Sequence, residues 1–357
     1  MKAGIVSLYG TFNYGNRLQS YASQEILREL GFDTEVIYVQ PQKEYFREFG
    51  KKVYFSKQLR RLLRPGTIAV QKYRRQRAFE EFNSKYIITR RYSAVHQIKD
   101  ADFFVLGSDQ VWNPKRYNAV KKELFFLNFT ESKKKVCLSP SFGLSEIPNE
   151  WKLYFAEHLL TFPRISVREE SGARIVKNLT GKEAEVLVDP TLMIDPQKWR
   201  KIERHPWGVN TESDYILNYF LGAVPEKARI NSTDVANKTG ASIYDLMDAS
   251  TGNLYTSGPS EFLYLIDHAS LVQTDSFHAC IFSFLFGKPF LLYAREGKDP
   301  DMLSRIETLF NTFDLARKYV GSGSENDLFE CDYDTGYRRL LIEREKAIAF
   351  LKESMNI

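Results

Sequence analysis

Short apolar runs alternate with segments of helical periodicity along most of the chain, a pattern that predicts a parallel α/β architecture. In the first half, Ala3–Leu8, Thr34–Val39, Phe103–Leu106, Lys135–Ser139, Arg164–Val167 and Ala184–Val188 read as strands. Arg17–Leu30, Trp151–Leu160 and Glu170–Asn178 read as helices. The alternation then restarts, with strands at Tyr215–Phe220, Ser242–Leu246, Leu271–Thr274 and Phe290–Tyr293. Helices are expected at Pro225–Lys238, Pro259–His268, Ala279–Phe286 and Met302–Phe310, and a charged helix at about Tyr337–Glu353 closes the chain. Asp189-Pro190 and the polar, proline-containing segment Asp195–Asn210 mark a break. Two doubly wound halves of similar size imply a cleft between them, with ligands at the carboxyl ends of strands.

Residues that directly follow strands therefore carry the chemistry. After Leu271–Thr274 come Asp275 and Ser276, both good helix starters, and then an almost wholly apolar helix that Gly287 and Pro289 end. His278 is its only side chain that titrates near neutrality, and it sits in the first turn, where backbone N–H groups and the dipole favour an anion. This reads either as a phosphate site with a proton donor attached or as a capped helix beside a core histidine.

The first strand leads into Tyr9-Gly-Thr-Phe-Asn-Tyr-Gly-Asn-Arg17. Gly10 and Gly15 permit close approach, while Asn13, Tyr14, Asn16 and Arg17 offer neutral donors and one cation to sugar hydroxyls or a small acid. The loop lacks both the dinucleotide G-x-G-x-x-G spacing and a Walker lysine. After Phe103–Leu106, Asp109 is a natural general base, and Gln110, Trp112 and Asn113 form a sugar-binding type of set. The plainer alternative is an Asp-capped helix start with a core tryptophan. Ser139 and Ser141 offer hydroxyls. Arg168 is placed to fork onto a carboxylate or phosphate, or to pair with Glu169 or Glu170, and Arg295 is a further anion ligand. Asp189-Pro190-Thr191 reads as the interdomain joint.

Composition changes the picture in two places. The 357 residues are 43% hydrophobic and 27% charged, with three scattered cysteines and no metal-ligand spacing, which predicts a cytoplasmic chain without a disulfide framework or a metal. The net charge of +5 conceals a lopsided segment. Lys57–Arg91 holds eleven Lys and Arg against Glu80 and Glu81, a balance of +9 that leaves −4 elsewhere. Apolar residues interleave at helical spacing, so two basic amphipathic helices broken at Pro65-Gly66 are expected, facing an anionic membrane, a diphosphate or nucleic acid.

Taken together, Asn13–Ala22, Gly107–Asn113, Ser166–Glu169, Asp189–Leu192, Thr274–His278 and Lys288–Phe290 occur in the order seen in polysaccharide pyruvyl transferases. The chain resembles the bacterial capsule and exopolysaccharide branch from Gly4 to about Arg295. The resemblance implies a GT-B-like fold of two Rossmann-like domains facing across a cleft. Residues 1–192, with a basic helical insertion at 41–91, would form the acceptor side, and residues 193–357 the donor side. It implies transfer of pyruvate from phosphoenolpyruvate onto a sugar as a cyclic ketal, with release of phosphate and no metal or nucleotide cofactor.

On that reading His278 and Asp109 are catalytic, and Arg168, Ser276, Phe277 and Arg295 hold phosphoenolpyruvate. Asn13, Tyr14, Asn16, Arg17, Gln110, Trp112, Asn113 and Ser139 hold the acceptor. Some members carry Arg-Leu-His where this chain has Ser276-Phe277-His278, so the anion-binding arginine of those members is missing here. The expected acceptor is a sugar of a polysaccharide or of a lipid-linked oligosaccharide precursor, an undecaprenyl-diphosphate-linked one among them, with peripheral contact at the inner membrane through Lys57–Arg91 and no nucleic acid. A GT-B nucleotide-sugar glycosyltransferase is the alternative, and a non-catalytic glycan- or nucleic-acid-binding protein the next.

Overall fold

The structure, a computed structural model, describes residues 1–8, 12–40, 68–99, 101–295, 303–320 and 329–357. The chain divides into two compact units, Met1–Pro65 with Asn83–Met193 and Glu343–Ile357, and Gly66–Phe82 with Ile194–Ile342. Two segments thus belong to the unit opposite the one their sequence position suggests: 66–82 goes with the second and 343–357 with the first.

In the first unit β1 (Lys2–Val6), β2 (Asp33–Val39), β3 (Thr89–Tyr92), β4 (Phe103–Leu106) and β5 (Lys135–Cys137) form one parallel sheet, ordered β3-β2-β1-β4-β5. Strand β1 pairs with β2 on one side and β4 on the other, and its Ala3, Ile5 and Val6 are buried, as expected for a strand covered on both faces. Strand β3 was not expected, because Arg90 and Arg91 interrupt any apolar run. It lies at the sheet edge with both arginines exposed, where charge discourages further pairing. The insertion at 41–91 is therefore not helical throughout. A short parallel pair, β6 (Ser166–Val167) and β7 (Glu185–Val186), completes this unit's strands among the described residues.

In the second unit β8 (Tyr215–Tyr219), β9 (Ser242–Asp245), β10 (Leu271–Thr274) and β11 (Phe290–Leu292) form a parallel sheet ordered β11-β10-β8-β9. The expected α/β class with parallel sheets is what the structure has. In each sheet the order reverses beside the first strand, between β1 and β4 and between β8 and β10. Such a switch point opens a crevice at the strands' carboxyl ends.

Candidate functional site

Two groups of side chains gather at these switch points, one in each unit. In the first unit Asp109 follows β4 in a left-handed conformation, φ 71°, and Ser139 follows β5 at φ 45°. Each costs about 1–2 kcal/mol for a residue with a Cβ, strain that tends to persist at functional sites. Asp109 is only 8% exposed. Its Oδ1 accepts the Gln110 amide at 2.8 Å and its Oδ2 the Asn16 side-chain amide. The Arg168 Nη2 lies 3.6 Å from Oδ1.

Arg168 donates Nη1 to Asp189 Oδ2, and also to the Ser108 hydroxyl at 3.2 Å. Burial alone would push this guanidinium down, but Asp189, Asp109 and Glu169 outweigh it and hold it above its ordinary value. Asp189 Oδ2 accepts the Ser108 hydroxyl at 2.8 Å, and its Oδ1 accepts the N–H and hydroxyl of Thr191 at 3.0 and 2.7 Å. Asp189 is thus part of this network, which the reading of Asp189-Pro190-Thr191 as a joint did not anticipate.

Glu169 was missed except as a pairing partner. It is fully buried, and its Oε1 accepts the Ser141 hydroxyl and the Phe142 and Gly143 amides at 3.0, 2.8 and 3.1 Å. Its Oε2 meets no donor among the described residues, and neither does the buried Ser139 hydroxyl. A carboxylate between a strand end and a helix start was the available signal.

The expected acceptor residues divide. Asn16 joins the Asp109 group, and Tyr14 and Arg17 are buried on the same helix, Tyr14–Glu29, which the Asn13 side chain caps. Trp112 must be corrected. It has no exposed surface, packs against Phe126, Phe142 and Phe162, and donates Nε1 to the Phe125 carbonyl at 3.1 Å. It therefore cannot offer a face to a sugar and belongs to the core. The Asn113 side chain is occupied in capping a short 3-10 turn, and Gln110 Oε1 accepts the Arg116 guanidinium. The Tyr9–Thr11 part of the glycine loop lies outside the described residues, as does Lys57–Gly66 with its expected helix break.

In the second unit Asp275, Ser276, Phe277 and His278 follow β10. Ser276 precedes the Phe277–Leu285 helix without a side-chain capping bond, and intrahelical bonding begins with Cys280 N–H to the Ser276 carbonyl at 3.1 Å. The amides of residues 277–279 thus have the orientation that attracts anions. Asp275, 3% exposed, accepts the amides of Leu221 and Gly222 at 2.8 and 3.0 Å. It also holds Arg295, whose Nε is 2.7 Å from Oδ2.

The His278 side chain is 7% exposed and stands perpendicular to the Phe277 ring, 5.3 Å away. Arg305 was not singled out from the sequence. It is 5% exposed, with its guanidinium carbon 5.8 Å from the Phe277 ring centroid. A lone arginine thirty residues downstream carried no local signal. Among the described residues one group, Glu203, Asp267 and His268, has the spacing to hold a metal, although both oxygens of Asp267 already bind Arg200 at 2.7 and 2.9 Å.

The family model of polysaccharide pyruvyl transferases matches residues 13–297. No curated protein matches the chain. Among solved structures, UDP-GlcNAc 2-epimerase from Methanocaldococcus jannaschii is similar at 14% identity and TM-score 0.45, covering 97% of this chain and 99% of that one. UDP-GlcNAc 2-epimerase from Neisseria meningitidis, bound to UDP-GlcNAc, is similar at 11% identity and TM-score 0.41, covering 98% and 100%. Arabidopsis thaliana UGT89C1, complexed with UDP-L-rhamnose, is similar at 10% identity and TM-score 0.41, covering 99% and 97%. Likenesses this remote carry no argument about the chemistry.

Proposed function

The chain belongs to the polysaccharide pyruvyl transferase family, and from that premise we propose that it moves pyruvate from phosphoenolpyruvate onto two hydroxyls of a saccharide as a cyclic ketal. The observation that carries the reading is the placement of Ser276 and His278 in the first turn of a buried helix at a switch point, with Arg305 close by.

Phosphoenolpyruvate carries up to three negative charges, so it needs cations and aligned N–H donors. The helix start, the Ser276 hydroxyl and Arg305 supply them on this reading, and Arg305 takes the place of the arginine that some members carry two residues before the histidine. Arg295 and Arg168 are each held by a buried aspartate, Asp275 and Asp189 respectively. They therefore serve better as anchors of their loops than as donor ligands.

His278 delivers a proton to the methylene carbon, which turns C2 into an electrophile. One saccharide hydroxyl attacks C2 and loses its proton to Asp109. The C2–O bond to phosphate then breaks, the phosphate leaving with the proton held by Asp109, and the second hydroxyl closes the ring while its proton restores His278. The sum is phosphoenolpyruvate plus a diol giving a ketal and inorganic phosphate, and no metal, nucleotide or other cofactor enters. Asn16 and Arg168 fix the Asp109 carboxylate for this role.

The test is phosphate release from phosphoenolpyruvate over a panel of pyranosides, run beside UDP-sugars. Turnover of a UDP-sugar with phosphoenolpyruvate left untouched would instead favour a glycosyltransferase.

A lipid-linked saccharide at an anionic inner-membrane surface remains the acceptor we propose, with the chain on the cytoplasmic side and the basic segment as its contact. No helix among the described residues is long and apolar enough to cross a membrane. Arg75 must be removed from that contact, since it is buried, with Nη1 2.7 Å from the Tyr255 carbonyl. Reversing charge at Arg60, Arg61 and Lys72 should abolish binding to anionic liposomes, and unchanged sedimentation with them would remove the membrane from the account.

A further inference from the structure

The basic helix Ile68–Tyr86 has a second use that the transfer chemistry does not absorb. Its first part, up to Phe82, belongs to the second unit. Arg75 points inward, its guanidinium 4.8 Å from the Tyr255 ring centroid and 5.8 Å from that of Phe79, besides its bond to the Tyr255 carbonyl. The contact is close enough that a Cβ on Gly258 would meet Ala78 Cβ at 3.0 Å and the Ala78 carbonyl carbon at 3.1 Å. With Arg75 locked inward, Arg74 and Arg77 line a neighbouring cavity of about 220 Å³ together with Trp207, Asn253 and Thr256.

Three features of this cavity point to its ligand. Arg74 and Arg77 are exposed, and neither is paired with a carboxylate among the described residues. The two acids on its wall, Glu81 and Glu261, are both engaged by Arg204, whose Nη1 and Nε lie 2.6 and 2.5 Å from them. Arg204 carries one charge against these two carboxylates, so with Arg74 and Arg77 the cluster keeps a net positive charge. Finally, Trp207 is 79% exposed and is followed by Gly208 at φ 66°, a backbone setting that turns the chain sharply after the indole. An exposed indole face packs on the C–H edge of a sugar ring, and two unpaired guanidiniums fork onto phosphate oxygens. The volume is below the roughly 300–1,000 Å³ of pockets for drug-sized ligands, which suits a phosphate with one ring better than a nucleotide.

We propose that this cavity binds a glycosyl phosphate, the sugar on Trp207 and the phosphate on Arg74 and Arg77. It is a subsite for the phosphorylated end of the acceptor, and that assignment rests on the saccharide transfer proposed above. The shared chemistry, a sugar carrying a phosphate at its anomeric oxygen, can come from a soluble sugar phosphate or from a lipid-linked one.

Trp207 supplies the probe, because it is the most exposed of the four tryptophans: Trp112 and Trp199 are fully buried and Trp151 is half-buried, so its contribution is subtracted with Trp207→Phe. Acrylamide quenching of the full chain is measured with added glucose 1-phosphate, with glucose and with inorganic phosphate, in the absence of phosphoenolpyruvate. Glucose 1-phosphate should protect, glucose should not, and inorganic phosphate should protect more weakly. Each of Arg74→Ala and Arg77→Ala should weaken protection about tenfold, as loss of a charge-assisted bond implies. Trp207→Phe should remove the protectable signal, and circular dichroism checks that each variant is folded.

Equal protection in Arg74→Ala/Arg77→Ala, no protection in the wild type, or no advantage of glucose 1-phosphate over phosphate would each overturn the proposal. A glucosyl diphosphate prenol in detergent identifies the source: clearly tighter binding assigns the lipid-linked ligand, equal binding the soluble one, and either upholds the site. The binding assay needs no turnover, so the subsite stands or falls apart from the transferase reading. If both hold, the double variant raises KM for a phosphorylated acceptor.

Discussion

Arg168 and Asp189 form an ion pair with almost no solvent exposure on either side chain, and the second nitrogen of the same guanidinium reaches Asp109. One buried cation thus ties the end of the first unit's chain segment to the candidate base after β4. A buried charge left without its partner typically costs about 3–5 kcal/mol. Asp189→Ala should therefore lower the unfolding free energy by that order and the urea midpoint with it, while Asp189→Asn, whose one oxygen can still accept from Thr191, should lose less. Equal midpoints for wild type and Asp189→Ala would show that the pair does not hold the site.

Asp109 sits at φ 71°, a region that asparagine tolerates well. Asp109→Asn should keep the backbone and most of the stability yet lose the proton acceptor, with turnover falling about 10²–10⁴-fold. Thermal melts and turnover measured on one preparation separate these effects. A variant with normal rates would remove Asp109 from the chemistry.

Trp112 decides between two readings of the Gly107–Asn113 run. As a core residue, Trp112→Ala should cost about 3–5 kcal/mol of stability. Trp112→Phe should be milder and should leave KM for the saccharide unchanged. A Trp112→Phe protein of normal stability whose KM rises sharply would restore the sugar contact.

Lys135 is buried, with its ammonium 2.9 Å from the Phe126 carbonyl and 2.9 Å from the Thr161 hydroxyl, and burial pushes it down to about 8. A lowered lysine means that the unfolded chain binds the extra proton between this value and the ordinary one. Its cost to stability is therefore full below about pH 8 and is relieved as pH rises towards the unfolded value. Between about pH 7 and pH 9.5 the wild type should gain stability relative to Lys135→Met. Parallel pH profiles for the two would contradict the shift.

Most strands were legible because they are buried on both faces and read as apolar runs, and β4 and β10 fall where the sequence puts them, whereas the part-exposed edge strand β3 was not. From β order and loop position, Asp109, Ser276 and His278 followed. Side-chain direction was not legible. An aromatic beside amides after a strand looks the same whether it faces a ligand or the core, which is how Trp112 was misplaced. Arg75 differs from Arg74 and Arg77 only in its angle around one helix, and its inward turn depends on Tyr255, 180 residues away. Asp189, Glu169 and Arg305 act through partners distant in sequence, so no local pattern announces them.

The central claim is that His278 delivers the proton that opens phosphoenolpyruvate to attack. Its most direct test is phosphate release from phosphoenolpyruvate in the presence of a saccharide that the wild type accepts, compared with folded His278→Ala. The account predicts a loss of about 10²–10⁴-fold or more, as for removal of a general acid. Release at near-wild-type rate from His278→Ala would contradict it.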